Sequence, residues 1–187
     1  MSTNKTVKFI GLFSIVAGIV MILAGGATWA MVTSQLKAEN ITVAPITEEN
    51  PGALVGDPVA GPFTAFAQAN AINEHTITLG GGKTYAEIGD EMTALREQLA
   101  ADGDSPAEIA ENEELAGLQT QRNSVMNGSF LRASLFTSVV SYGVAALVIG
   151  LGLLFSLLGY ALTRLASGVV TTSAPALAAA QPVGARA

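Results

Sequence analysis

Two long runs of apolar positions dominate the chain. Phe9 to Val32 contains no charged residue, and neither does Ala133 to Thr163. A helix needs roughly 20 mainly apolar residues to cross a hydrocarbon core, so both runs are long enough to span a membrane. The first has a competing reading as a signal peptide. Lys5 and Lys8 give it a basic start, and Ala24-Gly25-Gly26 offers the small residues of a cleavage site. The run nevertheless continues to Val32 and includes Trp29, a residue suited to the membrane interface, which favours a retained anchor.

Small residues recur in both runs near heptad spacing. In the first they are Gly11, Ser14, Gly18, Gly25 and Thr28, with Met21 interrupting. In the second they are Ser134, Ser138, Ser141, Ala145, Gly152, Ser156, Gly159 and Thr163. Small side chains let helix backbones approach closely, and in lipid that packing is what drives association. A period near 3.5 predicts a left-handed crossing. The plainer explanation is that membrane helices are rich in Gly, Ala and Ser anyway, and Ala133, Gly143, Ala146 and Gly150 do fall off the row. The row predicts helix-packing faces along which the two spans pair antiparallel. A second protomer or another protein joining them stays open.

Between the runs the pattern changes. Residues 40–62 contain Pro45, Pro51, Pro58 and Pro62 with several glycines, and read as an extended, turn-rich connector. A helix is predicted from Pro62, with proline at its first turn, to about Ile77, before Gly80-Gly81-Gly82. Thr84 and Glu87 have capping-box spacing, and so do Ser105 and Glu108. Behind the first box, Ile88, Met92, Leu95 and Leu99 form a stripe at helical spacing. Behind the second, Leu115, Leu118 and Val125 continue the period. The expectation is a helical hairpin over 84–127, with 84–100 packed on 105–127. The stripe either closes that hairpin or serves as a partner-binding face. A core this small is marginal alone.

The predicted fold class is therefore an all-α membrane protein, two antiparallel transmembrane helices joined by a mostly helical extracytoplasmic segment. Its order is a cytoplasmic N-terminus (1–8), a first span (9–32), an acidic extracytoplasmic segment (33–132), a second span (133–163) and a disordered cytoplasmic tail (164–187), the last rich in alanine.

Composition agrees with this. The chain has 187 residues, of which 13% are charged, against about 25% in typical soluble domains. It has no cysteine, which excludes disulfides and thiolate metal sites. All fifteen acidic residues lie between Glu39 and Glu114, and residues 33–132 hold only five basic ones, a balance of −10. Such a surface argues against nucleic acid, whose phosphates need a basic partner. Lys5, Lys8 and Arg164 flank the spans on one side, Lys37, Arg122 and Arg132 on the other, so the positive-inside count is tied. The first helix usually dominates and favours an inside N-terminus, which places both termini in the cytoplasm of a bacterial inner membrane. Neither span contains an Asp, Glu, Lys, Arg or His, which disfavours a pump or transporter acting alone. Tyr142 is expected to be a hydrogen-bonded packing residue.

Candidate chemistry is sparse. Gly82-Lys83-Thr84 invites comparison with a phosphate-binding loop, but that motif needs a glycine where Ile77 stands, so no nucleotide partner is expected. His75 is the only histidine, and no G-x-S-x-G surrounds a serine. A site of two histidines and a carboxylate cannot be built from one. Asp102, Asp104 and Glu113 match positions of a calcium loop, yet Pro106 and Ala107 occupy the positions that shape its turn. No catalytic, cofactor-binding or metal-ligating residue is assigned.

The segments "FLRASLFTSVVSYGVAALVIGLG" (Phe130 to Gly152), "GDPVAGPFTAFAQANAI" and "GGKTYAE" resemble a group of small two-span actinobacterial membrane proteins. Many of these are labelled aromatic ring-opening dioxygenases. The resemblance covers most of residues 8–160, and 91–121 look like an expansion relative to shorter members. The label does not fit these residues, because extradiol iron needs two histidines and an intradiol site more than one. What the resemblance implies is an envelope membrane protein without an active site. The expected role is a non-enzymatic accessory or scaffold subunit of a larger membrane assembly, in contact with lipid and with other membrane subunits or copies of itself. The alternative is an envelope sensor or binding module acting through the extracytoplasmic segment.

Overall fold

The computed structural model describes residues 2–168, so the tail expected to be disordered lies, from residue 169 onward, outside the described residues. Five helices follow one another: α1 (Ser2–Ala38), α2 (Pro62–Leu79), α3 (Tyr85–Asp102), α4 (Pro106–Ala110) and α5 (Glu113–Ala166). Among the described residues there is no strand, only an isolated antiparallel bridge between Thr42 and Pro58. Both α1 and α5 overrun the uncharged stretches. No proline interrupts either helix, so the backbone hydrogen bonding continues. Residues 164–166, assigned to the tail from sequence, are accordingly helical.

Both long helices are long and apolar enough to cross a membrane. Only 11% and 17% of their most apolar windows is buried within the protein, so they are not covered as core helices of a soluble domain would be. Phe9, Leu12, Phe13, Leu147 and Leu157 stand outward instead.

The described residues form two compact units, one from α1 up to Ile22 together with α5 from Gly150 onward, the other from Leu23–Ile149. In the first unit α1 and α5 meet at bare backbone. A Cβ added at Gly11 would lie 2.8 Å from the Gly159 carbonyl oxygen and 2.8 Å from the Thr163 methyl. One added at Gly18 would collide with the Gly152 carbonyl and the Ser156 hydroxyl. The Ser156 hydroxyl donates to the Gly152 carbonyl of its own helix at 2.8 Å, so no hydroxyl bond between the helices is needed there.

In the second unit Gly25 makes the same kind of approach, to the Ala145 carbonyl and the Ile149 side chain. Beside it lies a core of Leu36, Val43, Val59, Ala65, Ala69, Leu135 and Tyr142. The tyrosine hydroxyl is 2.7 Å from the Thr33 hydroxyl and donates to the Ala60 carbonyl at 3.4 Å, while its ring meets Trp29 edge-on. The connector is folded rather than loosely extended. The Val43 amide donates to Asp57, the Gly56 amide to Val43 and the Val59 amide to Ile41, which delivers Val43 and Val59 to the core. α2 lays small residues on α5, and its buried Thr76 fits where Gly128 has no side chain.

The three glycines then form a packed turn. The Gly80 amide donates to Thr76 and the Gly82 amide to Ile77, and Gly81 and Gly82 adopt φ of 61° and 83°, a left-handed region that costs glycine little. Beyond it, Ile88 and Met92 are buried with Leu115 and Val125, and Leu95 and Leu99 pack half-buried against them. Of the two readings of Ile88, Met92, Leu95 and Leu99, this packing is that of a stripe that closes the hairpin. The second arm, 105–127, is not a single helix. α4 stops at Ala110, and the Asn112 side chain accepts from the Glu114 and Leu115 amides to start α5 afresh.

Replacing Gly18 or Gly152 by isoleucine forces backbones apart and should cost about 1–3 kcal/mol by overpacking. Gly150→Ile, where an added Cβ meets nothing within 4 Å, should be nearly neutral. Unfolding in detergent, followed by loss of helicity, measures the difference.

Candidate functional site

The densest group of chemically capable side chains lies where α3 meets α5. Thr84 starts α3: its hydroxyl accepts from the Glu87 amide, and the Glu87 carboxylate accepts from the Thr84 amide at 2.7 Å and the Thr84 hydroxyl at 2.8 Å. These bonds to the ionised form, backbone first and side chain second, hold the Glu87 carboxyl below its usual range, and Lys83 adds a smaller pull. The cap places Tyr85 at the first helical position. The Arg122 guanidinium of α5 lies over its ring, 3.9 Å from Cζ to the centroid.

Gly89 makes room for this. A Cβ there would lie 3.3 Å from Arg122 Nε, so the guanidinium rests against nearly bare backbone. Its Nε is buried without a hydrogen-bond partner, an arrangement that leaves the ring to supply the attraction. The cleft beside it has a volume of about 400 Å³ and is lined by Tyr85, Gly89, Asp90, Thr93, Arg96 and Arg122. Arg96 also borders a second cleft of about 420 Å³, with Ile109, Leu115 and Gln119. Two guanidinium groups beside one aromatic ring suit a carboxylate or phosphate group, and Asp90 on the rim opposes it. Nothing in the cleft is placed as a nucleophile: the Thr93 hydroxyl is committed to the Gly89 carbonyl of its own helix at 3.0 Å.

The other candidates from sequence lie apart from this cleft. Gly11, Gly18, Gly25, Ala145, Gly152 and Gly159 are buried, Ser14, Ser138, Ser141 and Ser156 half-buried, and Ser134 exposed. Ser138 and Ser141 donate to carbonyls one turn back in α5. Lys83 is engaged with Glu91 at 2.6 Å, both side chains at the surface. His75 is exposed on α2. Among the described residues no three His, Asp or Glu side chains converge as a metal site would require. Sequence reasoning missed the pairing of Tyr85 with Arg122. The available signal was a cation in a strongly acidic segment, three residues before Val125 on the buried face of α5.

The capping carboxylate makes the start of α3 sensitive to acid. A folded value held below the ordinary one contributes stability above the unfolded value, about 4.3, and that contribution is lost as pH falls through the folded value. Protection of the Thr84, Glu87 and Ile88 amides, measured against the intrinsic exchange rate at each pH, should therefore fall on acidification through this window. In Glu87→Gln the same amides should exchange faster at neutral pH and respond less to acid. Equal, pH-independent protection in both proteins would contradict the capping account.

Comparison of the chain with protein families, with curated proteins and with solved structures finds no match.

Proposed function

We propose that the chain is a non-enzymatic, two-span protein of a bacterial inner membrane that serves as an accessory or scaffold subunit of a larger assembly. In this reading the spans pair antiparallel, both termini face the cytoplasm and the acidic helical segment stands outside. The order of the close approaches supports the pairing: Gly11 meets Gly159, Gly18 meets Gly152 and Gly25 meets Ala145, rising along α1 as they fall along α5. The resemblance carried by Phe130–Gly152 points to the same kind of protein.

The observation that carries the subunit role is an apolar surface outside the spans. Leu79 is 63% exposed and Ile77 stands exposed beside it at the end of α2. The adjoining Gly80 packs on Val125, which lies roughly 12 Å along α5 from Ala133, where the uncharged run begins, at 1.5 Å per residue. Lipid at the end of the span does not reach that height, and exposed bulky apolar groups there suit a protein neighbour. A second reading, the binding module, draws on the Arg96–Arg122 cleft and its fit to an anionic group.

Purification in mild detergent separates the two. The subunit reading predicts a stoichiometric protein partner, or a stable oligomer of this chain, whose recovery drops in Leu79→Asp. A lone protomer that binds a small anion, and loses it in Arg122→Met, would instead favour the binding module.

A further inference from the structure

The exposed apolar residues nearest the spans have a different character from Leu79. Phe63 is 79% exposed, Phe66 47% and Leu54 41%. Leu54 is held at a φ of 64°, unusual for a residue with a side chain. With Val43, Ile46 and Pro51 they border an apolar hollow of about 250 Å³. In water such a surface is unfavourable, so something covers it.

Their height along the helices identifies the cover. Tyr142 ties Thr33, the first residue after the apolar stretch that ends at Val32, to the Ala60 carbonyl just ahead of α2. Phe66 meets Phe136 of α5 edge-on, 5.8 Å between ring centroids. Trp29, packed on Tyr142, stands at the same end of the run. Phe63 and Phe66 are therefore held where the apolar stretch of α1 gives way to Thr33, Ser34 and Gln35. That is the level of a membrane interface, where aromatic side chains concentrate.

Charge is distributed to match. Residues 58–73 contain no charged side chain, while eleven of the fifteen acidic residues lie between Glu74 and Glu114. The stretch that carries Phe63 and Phe66 is thus free of charge, while Glu48, Glu49 and Asp57 flank Leu54 in the connector and most of the acidic residues are carried along α2 and α3 towards Leu115. A segment meant to stand wholly in water has no reason to separate its charges from its aromatics in this way.

We propose that Leu54, Phe63 and Phe66 form a lipid-contacting collar, seated at the boundary of acyl chains and headgroups on the membrane that α1 and α5 cross. This rests on reading those helices as spans, not on the subunit role. The collar prolongs the lipid-facing surface of the spans and seats the start of α2 at the bilayer surface, from which the helix runs outward along α5. The apolar hollow beneath Phe63 and Phe66 faces the same hydrocarbon.

The test is tryptophan quenching in phosphatidylcholine vesicles with brominated acyl chains, against the same vesicles without bromine. In the unaltered chain, quenching of Trp29 reports whether the spans lie in the bilayer. In a Trp29→Phe background, Phe63→Trp places the reporter on the collar and Leu79→Trp places it outside. The proposal expects loss of emission for Trp29 and for the indole at position 63, and none at position 79. Phe66→Trp repeats the collar measurement should the position-63 variant fold poorly, judged by its helicity. Quenching of Trp29 with none at positions 63 and 66 overturns the collar while sparing the spans, and a second copy of the chain covering the patch would give this result. Absence of quenching at Trp29 itself overturns the span reading and the collar with it. Equal quenching at positions 63 and 79 also overturns the collar, because the contact would then have no preferred height.

Discussion

Hydrocarbon gives apolar side chains no gain from facing one another, so two apolar helices stay together in lipid only where their backbones come close. α1 and α5 meet this constraint with glycine opposite carbonyl. At Gly11, Gly18 and Gly25 the space a Cβ would need is already taken by backbone or side-chain atoms of α5, and Gly152 and Gly159 return the same contact from the other side. The Ser138, Ser141 and Ser156 hydroxyls bond to carbonyls of their own helix, so dispersion contact between bare backbones supplies the attraction there. The bulky residues left over, such as Phe13 and Leu157, face outward, which is where lipid is in the proposed membrane setting.

The helix contacts of the second unit continue into a polar and aromatic knot. Tyr142 is buried among Leu36, Val43, Val59 and Leu135, and its hydroxyl has both Thr33 and Ala60 within reach. A phenol buried this deeply needs partners, and the connector supplies one of them. The fold of residues 41–61 is thereby linked to the packing of the long helices. Farther along, each helix start is set by local chemistry: Thr84 with Glu87, Ser105 with Glu108, and Asn112 at the head of α5. The cleft of Tyr85 and Arg122 depends on the first of these, because the cap fixes where the ring stands.

Much of this was legible in the chain because it follows from periodicity and caps. The seven-residue recurrence of Gly11, Gly18 and Gly25 marks the buried face of α1, and the two capping boxes mark the starts of α3 and α4. The break at Asn112 was harder to see, since the apolar period runs on through Leu115 and only one side-chain acceptor ends one helix and begins another. The ordered connector escaped because prolines and glycines signal turns without saying whether their backbone pairs with itself, as Val43 does with Asp57. The cleft was invisible for a different reason. Tyr85 and Arg122 are far apart in the chain, and only the packing of Ile88 on α5 brings them together.

The central claim is the proposed antiparallel pairing of the spans in one register, and the absence of native cysteine allows a direct test. Cysteines introduced as Gly18→Cys with Ser156→Cys should form an intramolecular disulfide in native membranes under mild oxidation, because their side chains would occupy adjoining space. The offset pair Gly18→Cys with Thr163→Cys, displaced by two helical turns, should not. Equal crosslinking of both pairs, or crosslinks only between separate chains, would contradict the account.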